Sequence, residues 1–361
     1  MPERRPLLLT YALIAGLAAV FAGEFAFQIE PPSGFLEPSI QTLAALGALN
    51  KQLVIEGGEW WRLFSAPLLH GGAAHFALNA LALFFAGVIL ENAIGRAWFA
   101  AVYAVSGFCG ALMSLAGNAG GAISVGASGA IMGLFAAAFA VSFRYPSGAH
   151  MRSYLQSGSL RVLIPSLIPL AGGVFGEKID FAAHTGGALG GAGLGALLVL
   201  LWPKEAMLPR GRTFAFLLAN LGVCAALVSG FEVAAGYEPY ALAKYLIPEG
   251  QLPKNQADAK EKATALVASY PRDPRAHQFL ATALHEAGDE RGAEREWHAA
   301  LDEDKMLRLF FKPELEHLTR AYLAFSMKEN GKVAEARDVA KPVCAIAGET
   351  RDTLASGGLC P

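Results

Sequence analysis

Seven stretches of the chain are apolar for long enough to cross a bilayer, which takes roughly 20 mostly apolar residues. They lie at about 6–27, 67–90, 97–117, 123–143, 161–177, 181–202 and 213–236. The fifth, RVLIPSLIPLAGGVFG, is short and holds two prolines. Beyond about residue 250 the pattern changes to apolar positions at helical spacing on a charged background. This predicts an all-α chain: a polytopic membrane helix bundle, followed by a soluble α-helical repeat domain.

Lys and Arg orient the spans. Arg4 and Arg5 precede the first run, Arg96 lies between the second and third, Arg144, Arg152 and Arg161 lie before the fifth, and Lys204, Arg210 and Arg212 lie before the seventh. The alternate loops hold Lys51, Arg62 and Lys178. The N-terminus is therefore expected in the cytoplasm, the 28–66 loop outside, and everything after residue 237 outside. The first run follows two arginines as a signal peptide would, with VFA before Gly23 as a cleavage site. Its length favours a spanning helix.

Composition sharpens this picture. The 361 residues are 54% hydrophobic and only 17% charged, where a soluble domain has about a quarter. The net charge of −2 gives no reason to expect nucleic acid. Forty glycines, most of them before residue 240, suit close helix contacts in lipid. The four cysteines show no metal spacing, and Cys344 and Cys360 are far enough apart to pair in an oxidising compartment.

Polar residues recur at one depth. The second, fourth and sixth runs point the same way, and each carries its unusual groups near its outer end. These are His75 with Asn79 one turn on, Ser128 about 8 Å in at helical rise, and His184. Ionisable groups in a membrane are costly and usually functional. Gly129 and Gly133 on one helix, and Gly187 and Gly191 on another, form small-xxx-small pairs that let backbones touch. Such a contact carries Ser128 toward His184, a nucleophile toward a base. Asn79, His75 and the Ser128 amide can donate to an oxyanion. Asp180, one turn before His184, can orient it or serve as an interfacial loop residue, and His70 reads as structural or accessory.

Four segments together resemble the rhomboid intramembrane serine proteases: Trp61-Arg62 in the first outer loop, His75-x-x-x-Asn79, Gly126-x-Ser128-Gly129, and Ala183-His184-x-x-Gly187-x-x-x-Gly191. The resemblance covers about Gly47 to Leu201. It implies a six-helix protease core over 1–203, a Ser128–His184 dyad, and an oxyanion site of His75, Asn79 and the Ser128 amide. No metal or other cofactor is implied. The substrates it implies are transmembrane proteins of the same bilayer, cut near the outer ends of their spans. The family carries an aromatic four residues after the nucleophile, stacked on the catalytic His; here that position is Met132, whose thioether can still pack on a ring. The competing classes are a catalytically silent rhomboid-like scaffold and a channel or transporter, which would show inverted repeats.

The remainder divides into a basic turn and seventh span (204–240), a linker (241–256) and a helical domain (257–361). The last resembles tetratricopeptide repeats, with Leu280, Ala281, Ala283, Leu284, Gly288, Ala293, Trp297 and Ala300 at that repeat's packing positions. Such a domain binds a peptide or protein partner and does no chemistry. A multi-pass protein of a bacterial cytoplasmic membrane is expected.

Overall fold

The structure is a computed structural model that describes residues 6–118, 121–146, 148–168, 179–203 and 206–360. The described chain is α-helical apart from one two-stranded ladder. It divides into two compact units, 1–237 and 238–361.

In the first unit, α1 (Leu8–Ala26) is followed by a loop holding α2 (Ile40–Ala45), β1 (Leu49–Asn50), α3 (Lys51–Ile55) and α4 (Arg62–Ser65). Then come α5 (Ala73–Ile94), α6 (Arg96–Gly117), β2 (Ile123–Ser124), α7 (Ser128–Ser142), α8 (Gly148–Leu167), α9 (Phe181–Leu201) and α10 (Arg212–Ala243). Helices α1, α5, α6, α9 and α10 are long and apolar enough to cross a membrane; α7 is apolar but shorter. The all-α polytopic bundle expected from the hydropathy pattern is therefore the observed fold class.

The sequence places the fifth span at 161–177. The observed helix α8 begins at Gly148 instead and ends at Leu167, and 169–177 lie outside the described residues. Hydropathy misses the first half of α8 because GAHMRSYLQSGS is polar. Leu155, Ser159 and Leu163 nonetheless recur four apart and are buried, while His150, Arg152 and Tyr154 face outward. One stripe of inward positions is enough to dock the helix.

The core of this unit gathers Leu83, Leu90, Trp98, Phe99, Val102, Ile131, Leu134, Phe135 and Leu198 from α5, α6, α7 and α9. Helix α1 is tied to α5 at one end by Glu91. That carboxylate accepts the Thr10 hydroxyl at 2.5 Å and the Thr10 and Leu9 amides at 2.9 and 3.1 Å. The first amides of a helix have no partner within it, so a carboxylate there satisfies both hydrogen bonding and the helix dipole.

The loop between α1 and α5 is folded around Arg62. Its side chain is fully buried, pairs with Glu59 at 2.5 Å, and donates to the Ala44 and Ala48 carbonyls at 2.6 and 2.8 Å. Its guanidinium lies 4.6 Å from the Trp61 ring centre. Strand β1 of this loop pairs antiparallel with β2, Leu49 opposite Ser124 and Asn50 opposite Ile123. The loop is thus fastened to the segment that leads into α7. Ser229 of α10 donates to the Trp61 carbonyl at 2.9 Å, so the last long helix of this unit braces the same loop.

In the second unit, α11 (Gln256–Ser269), α12 (Pro274–Glu286), α13 (Glu290–Asp302), α14 (Asp304–Phe310), α15 (Pro313–Glu329), α16 (Val333–Cys344) and α17 (Glu349–Ser356) form successive hairpins. Asp273 and Asp289 cap α12 and α13 with their side chains. The core holds Ala281, Ala293, Trp297, Leu323, Ala324, Ala336, Ala340 and Leu354. Cys344 and Cys360 form a disulfide.

Candidate active site

Ser128 is the first residue of α7 and His184 the fourth of α9. The two helices approach through glycine. A Cβ on Gly129 would stand 3.0 Å from the Ala183 carbonyl oxygen. One on Gly187 would stand 1.9 Å from the Gly129 oxygen, and one on Gly191 2.0 Å from the Gly133 oxygen. No side chain fits at Gly187 or Gly191, so the helices lie backbone against backbone. The residue after Ser128 thus abuts the residue before His184.

His184 is buried, 9% exposed. Its Nδ1 lies 2.8 Å from the Ser166 carbonyl oxygen, in the last turn of α8. A carbonyl only accepts, so Nδ1 carries the ring proton and Nε2 keeps its lone pair. The carbonyl is one of those a helix C-terminus leaves open. Met132 is buried one turn along from Ser128. The aromatic beside His184 comes from its own helix: Phe181, three residues earlier, has its ring 6.4 Å away, nearly edge-on.

His75 and Asn79 stand one turn apart on α5. Asn79 is buried and donates to the His75 carbonyl at 3.0 Å. Both face Gly126, two residues before Ser128. A Cβ there would lie 2.7 Å from His75 Cε1, 2.8 Å from Nε2 and 3.9 Å from the Asn79 amide nitrogen. Gly126 also has φ +123°, a conformation open to glycine. Only glycine therefore lets the chain turn into α7 while pressed on the imidazole. The Ser128 amide, at the helix start, is one of those left without an intrahelical acceptor.

His75, Asn79, Gly126, Ser128, Gly129, His184 and Gly187 thus lie toward the N-terminal ends of α7 and α9, while Gly191 packs on Gly133 deeper along the same seam. Trp61 and Arg62 are not among them. They build the loop whose β1 strand clamps β2. Behind Gly126 and Gly129 lies a cavity of about 20 Å³ lined by Pro67, Gly107, Gly110 and Ala183. That is room for one water, not for a peptide.

Asp180, expected as an orienter of His184 or an interfacial loop residue, is the cap just before α9, and its carboxylate joins three elements. Oδ1 accepts the Ala183 amide at 2.9 Å as the cap of α9. Oδ2 accepts Ser114 at 2.6 Å, Asn118 at 2.9 Å and Ser124 at 2.5 Å. Burial opposes its ionisation, but the hydrogen bonds from Ser114, Ser124, Ala183 and Asn118 outweigh it and hold its pKa below the usual carboxylate value. Asp180 fixes the end of α6, strand β2 and the start of α9 at one point. Ser114, Asn118 and Ser124 carried no signal in the sequence because their common partner is 56 to 66 residues away.

For a metal, one described group brings three ligand atoms within 4.8 Å of one another: His285, Glu290 and Glu329. It is in the second unit, and His285 and Glu290 already bond each other at 2.7 Å.

Residues 57–201 match the family described as Rhomboid domain. The chain is 37% identical over 183 residues to RHOMBOID-like protein 1 of Arabidopsis thaliana, covering 50% of this chain and 46% of that one. It is 37% identical over 179 residues to RHOMBOID-like protein 5 of the same plant, covering 49% and 56%. With Rhomboid protease GluP of Bacillus subtilis (strain 168) it shares 33% over 183 residues, 51% of this chain and 34% of that protein. The match spans about half the length of these relatives, or less. Residues 57–201 are thus similar to a rhomboid domain and lie in a unit with several helices long and apolar enough to cross a membrane, and one of the relatives is named a rhomboid protease.

Proposed function

We propose that this protein is an intramembrane serine endopeptidase that cuts transmembrane segments of other proteins near their outer ends. The observation that carries the reading is the backbone contact between the first turns of α7 and α9, together with the Nδ1 bond that leaves His184 Nε2 as an acceptor.

Ser128 Oγ attacks the scissile carbonyl carbon while His184 Nε2 takes its proton. The carbonyl oxygen becomes an oxyanion and receives hydrogen bonds from His75, Asn79 and the Ser128 amide. The tetrahedral intermediate collapses, the C–N bond breaks, and the leaving amine takes the proton from His184. Water, deprotonated by His184, then releases the acyl group and restores the Ser128 hydroxyl. A substrate helix hides its carbonyls in its own hydrogen bonds, so segments with helix-breaking residues are the preferred substrates.

The second unit is read as a tetratricopeptide-like module that recruits substrate or another protein. Its α12/α13 and α15/α16 hairpins support this. The Cys344–Cys360 disulfide supports an oxidising compartment for it, in keeping with a C-terminus outside the cytoplasm and a bacterial cytoplasmic membrane.

The test is reaction of purified protein with a fluorophosphonate probe. Labelling of the wild type and none of Ser128→Ala is expected. Equal labelling of both removes Ser128 from the site, and an unreactive wild type leaves only a scaffold.

A further inference from the structure

His184 and His75 sit in the same site with opposite tasks, one to accept a proton and one to donate. The difference traces to what each Nδ1 faces. His184 Nδ1 faces a carbonyl. His75 Nδ1 faces the Gly71 amide, a donor, at 3.4 Å. An N–H directed at Nδ1 requires a lone pair there and leaves the proton on Nε2. Nε2, beside Cε1, lies on the edge of the His75 ring that presses on the Gly126 turn into Ser128.

The residue before Gly71 is bonded from a helix outside the site. Glu24, in the last turn of α1, is fully buried, and its Oε1 accepts the His70 amide at 2.8 Å. His70 is fully buried as well. Its ring lies edge-on to His75 at 5.4 Å and to Phe76 at 5.3 Å. Phe21, one turn before Glu24, stacks on Phe76 at 5.1 Å. Among the described residues, Glu24 Oε2 and both His70 ring nitrogens have no hydrogen-bond partner. A buried carboxyl with one oxygen left without a bond is a sign of function. The bond it does make grips the amide next to Gly71, in the short segment between α4 and α5.

We propose that Glu24 is a positioning residue for the oxyanion site: by fixing the His70–Gly71 backbone it holds the Gly71 amide on His75 Nδ1, and so keeps His75 in the Nε2–H form that donates to the oxyanion. The inference rests on the protease reading for its catalytic consequence, but its structural claim is read without catalysis.

Glu24→Gln keeps an acceptor oxygen, and Glu24→Met keeps the volume without one. Nitrogen-15 NMR of the full chain in detergent micelles, labelled at histidine and assigned with His75→Ala, reports the tautomer. The Nε2–H form of His75 is expected in wild type and Glu24→Gln, and a mixture of tautomers in Glu24→Met. Fluorophosphonate labelling is expected to slow roughly tenfold in Glu24→Met, a fraction of the 100-fold or more that loss of an oxyanion donor costs. It should stay near wild type in Glu24→Gln. In a His75→Ala background, Glu24→Met should add nothing.

A wild-type Nε2–H tautomer that survives in Glu24→Met, or an equal loss of labelling in both backgrounds, overturns the proposal. Should Glu24→Met not fold, Glu24→Asp, which shortens the reach to the His70 amide, is read in the same way. An unreactive wild type with the expected tautomers would sink the protease reading and leave this one standing.

Discussion

The two units hold their helices together by different means. In the membrane unit, α7 and α9 touch through the backbones of Gly129, Gly133, Gly187 and Gly191, and polar side chains supply the specific bonds at the helix ends. In the C-terminal unit, Trp297, Leu323, Leu354 and a row of alanines fill the space between helices, and a disulfide closes the end. The physical reason is the solvent. Lipid is as apolar as leucine, so helices in it gain from close contact and hydrogen bonds rather than from burying apolar faces. In water the buried apolar face is the driving force. The membrane unit can therefore carry His, Asn and Ser at helix junctions, where the contact leaves no room for large side chains.

The largest effect expected is at the glycine seam. Gly187→Val sets a branched side chain against the Gly129 carbonyl, which cannot move aside. Its cost exceeds the roughly 1–3 kcal/mol usual for overpacking. No folded, probe-reactive protein should be recovered by size-exclusion chromatography. A folded variant would show that the helices are not in contact. In the C-terminal unit, Trp297→Ala removes the largest core side chain. It should cost about 3–5 kcal/mol, seen as faster hydrogen exchange in α12, α13 and α15, with probe labelling of Ser128 unchanged. Cys344→Ser opens a loop of 16 residues' separation. It should destabilise that unit by roughly 3 kcal/mol, again without changing labelling.

Asp180 gives the smallest effect and the sharpest one in pH. Its pKa is held down in the folded state. Its contribution is present above the unfolded value of about 4 and is lost as pH falls through the folded value. Asp180→Asn should cost about 1–3 kcal/mol at neutral pH. It should also flatten the decline in thermal stability below about pH 4 that the wild type shows. The same decline in both would place the acid sensitivity elsewhere.

Much of the membrane unit was legible in the sequence because its signals are local. Apolar runs mark α1, α5, α6, α7, α9 and α10, and the spacing of glycines around Ser128 and His184 foretold which helices touch. The start of α8 was not legible. It is docked by a thin stripe of Leu155, Ser159 and Leu163 in an otherwise polar stretch, and hydropathy averages over that stripe. Long-range polar bonds were equally hidden. Glu24 lies inside the first apolar run and drew no reading from the sequence; only the fold brings it to the His70 amide, 46 residues on. Ser166 is ordinary in sequence because it acts through its carbonyl, which every residue has. The tautomer of His184 follows from such a backbone group on another helix, whereas the Gly71 amide that faces His75 is only four residues away and its link to Glu24 is what the fold supplies.

The most direct test is an experimental structure of the protein after reaction with a small fluorophosphonate. The account predicts phosphorus bonded to Ser128 Oγ, His184 Nε2 within hydrogen-bonding distance of the modified oxygen, and the phosphoryl oxygen held by His75 Nε2, the Asn79 amide and the Ser128 N–H. Phosphorus on another residue, or a phosphoryl oxygen pointing away from α5 with His184 out of reach, would contradict it.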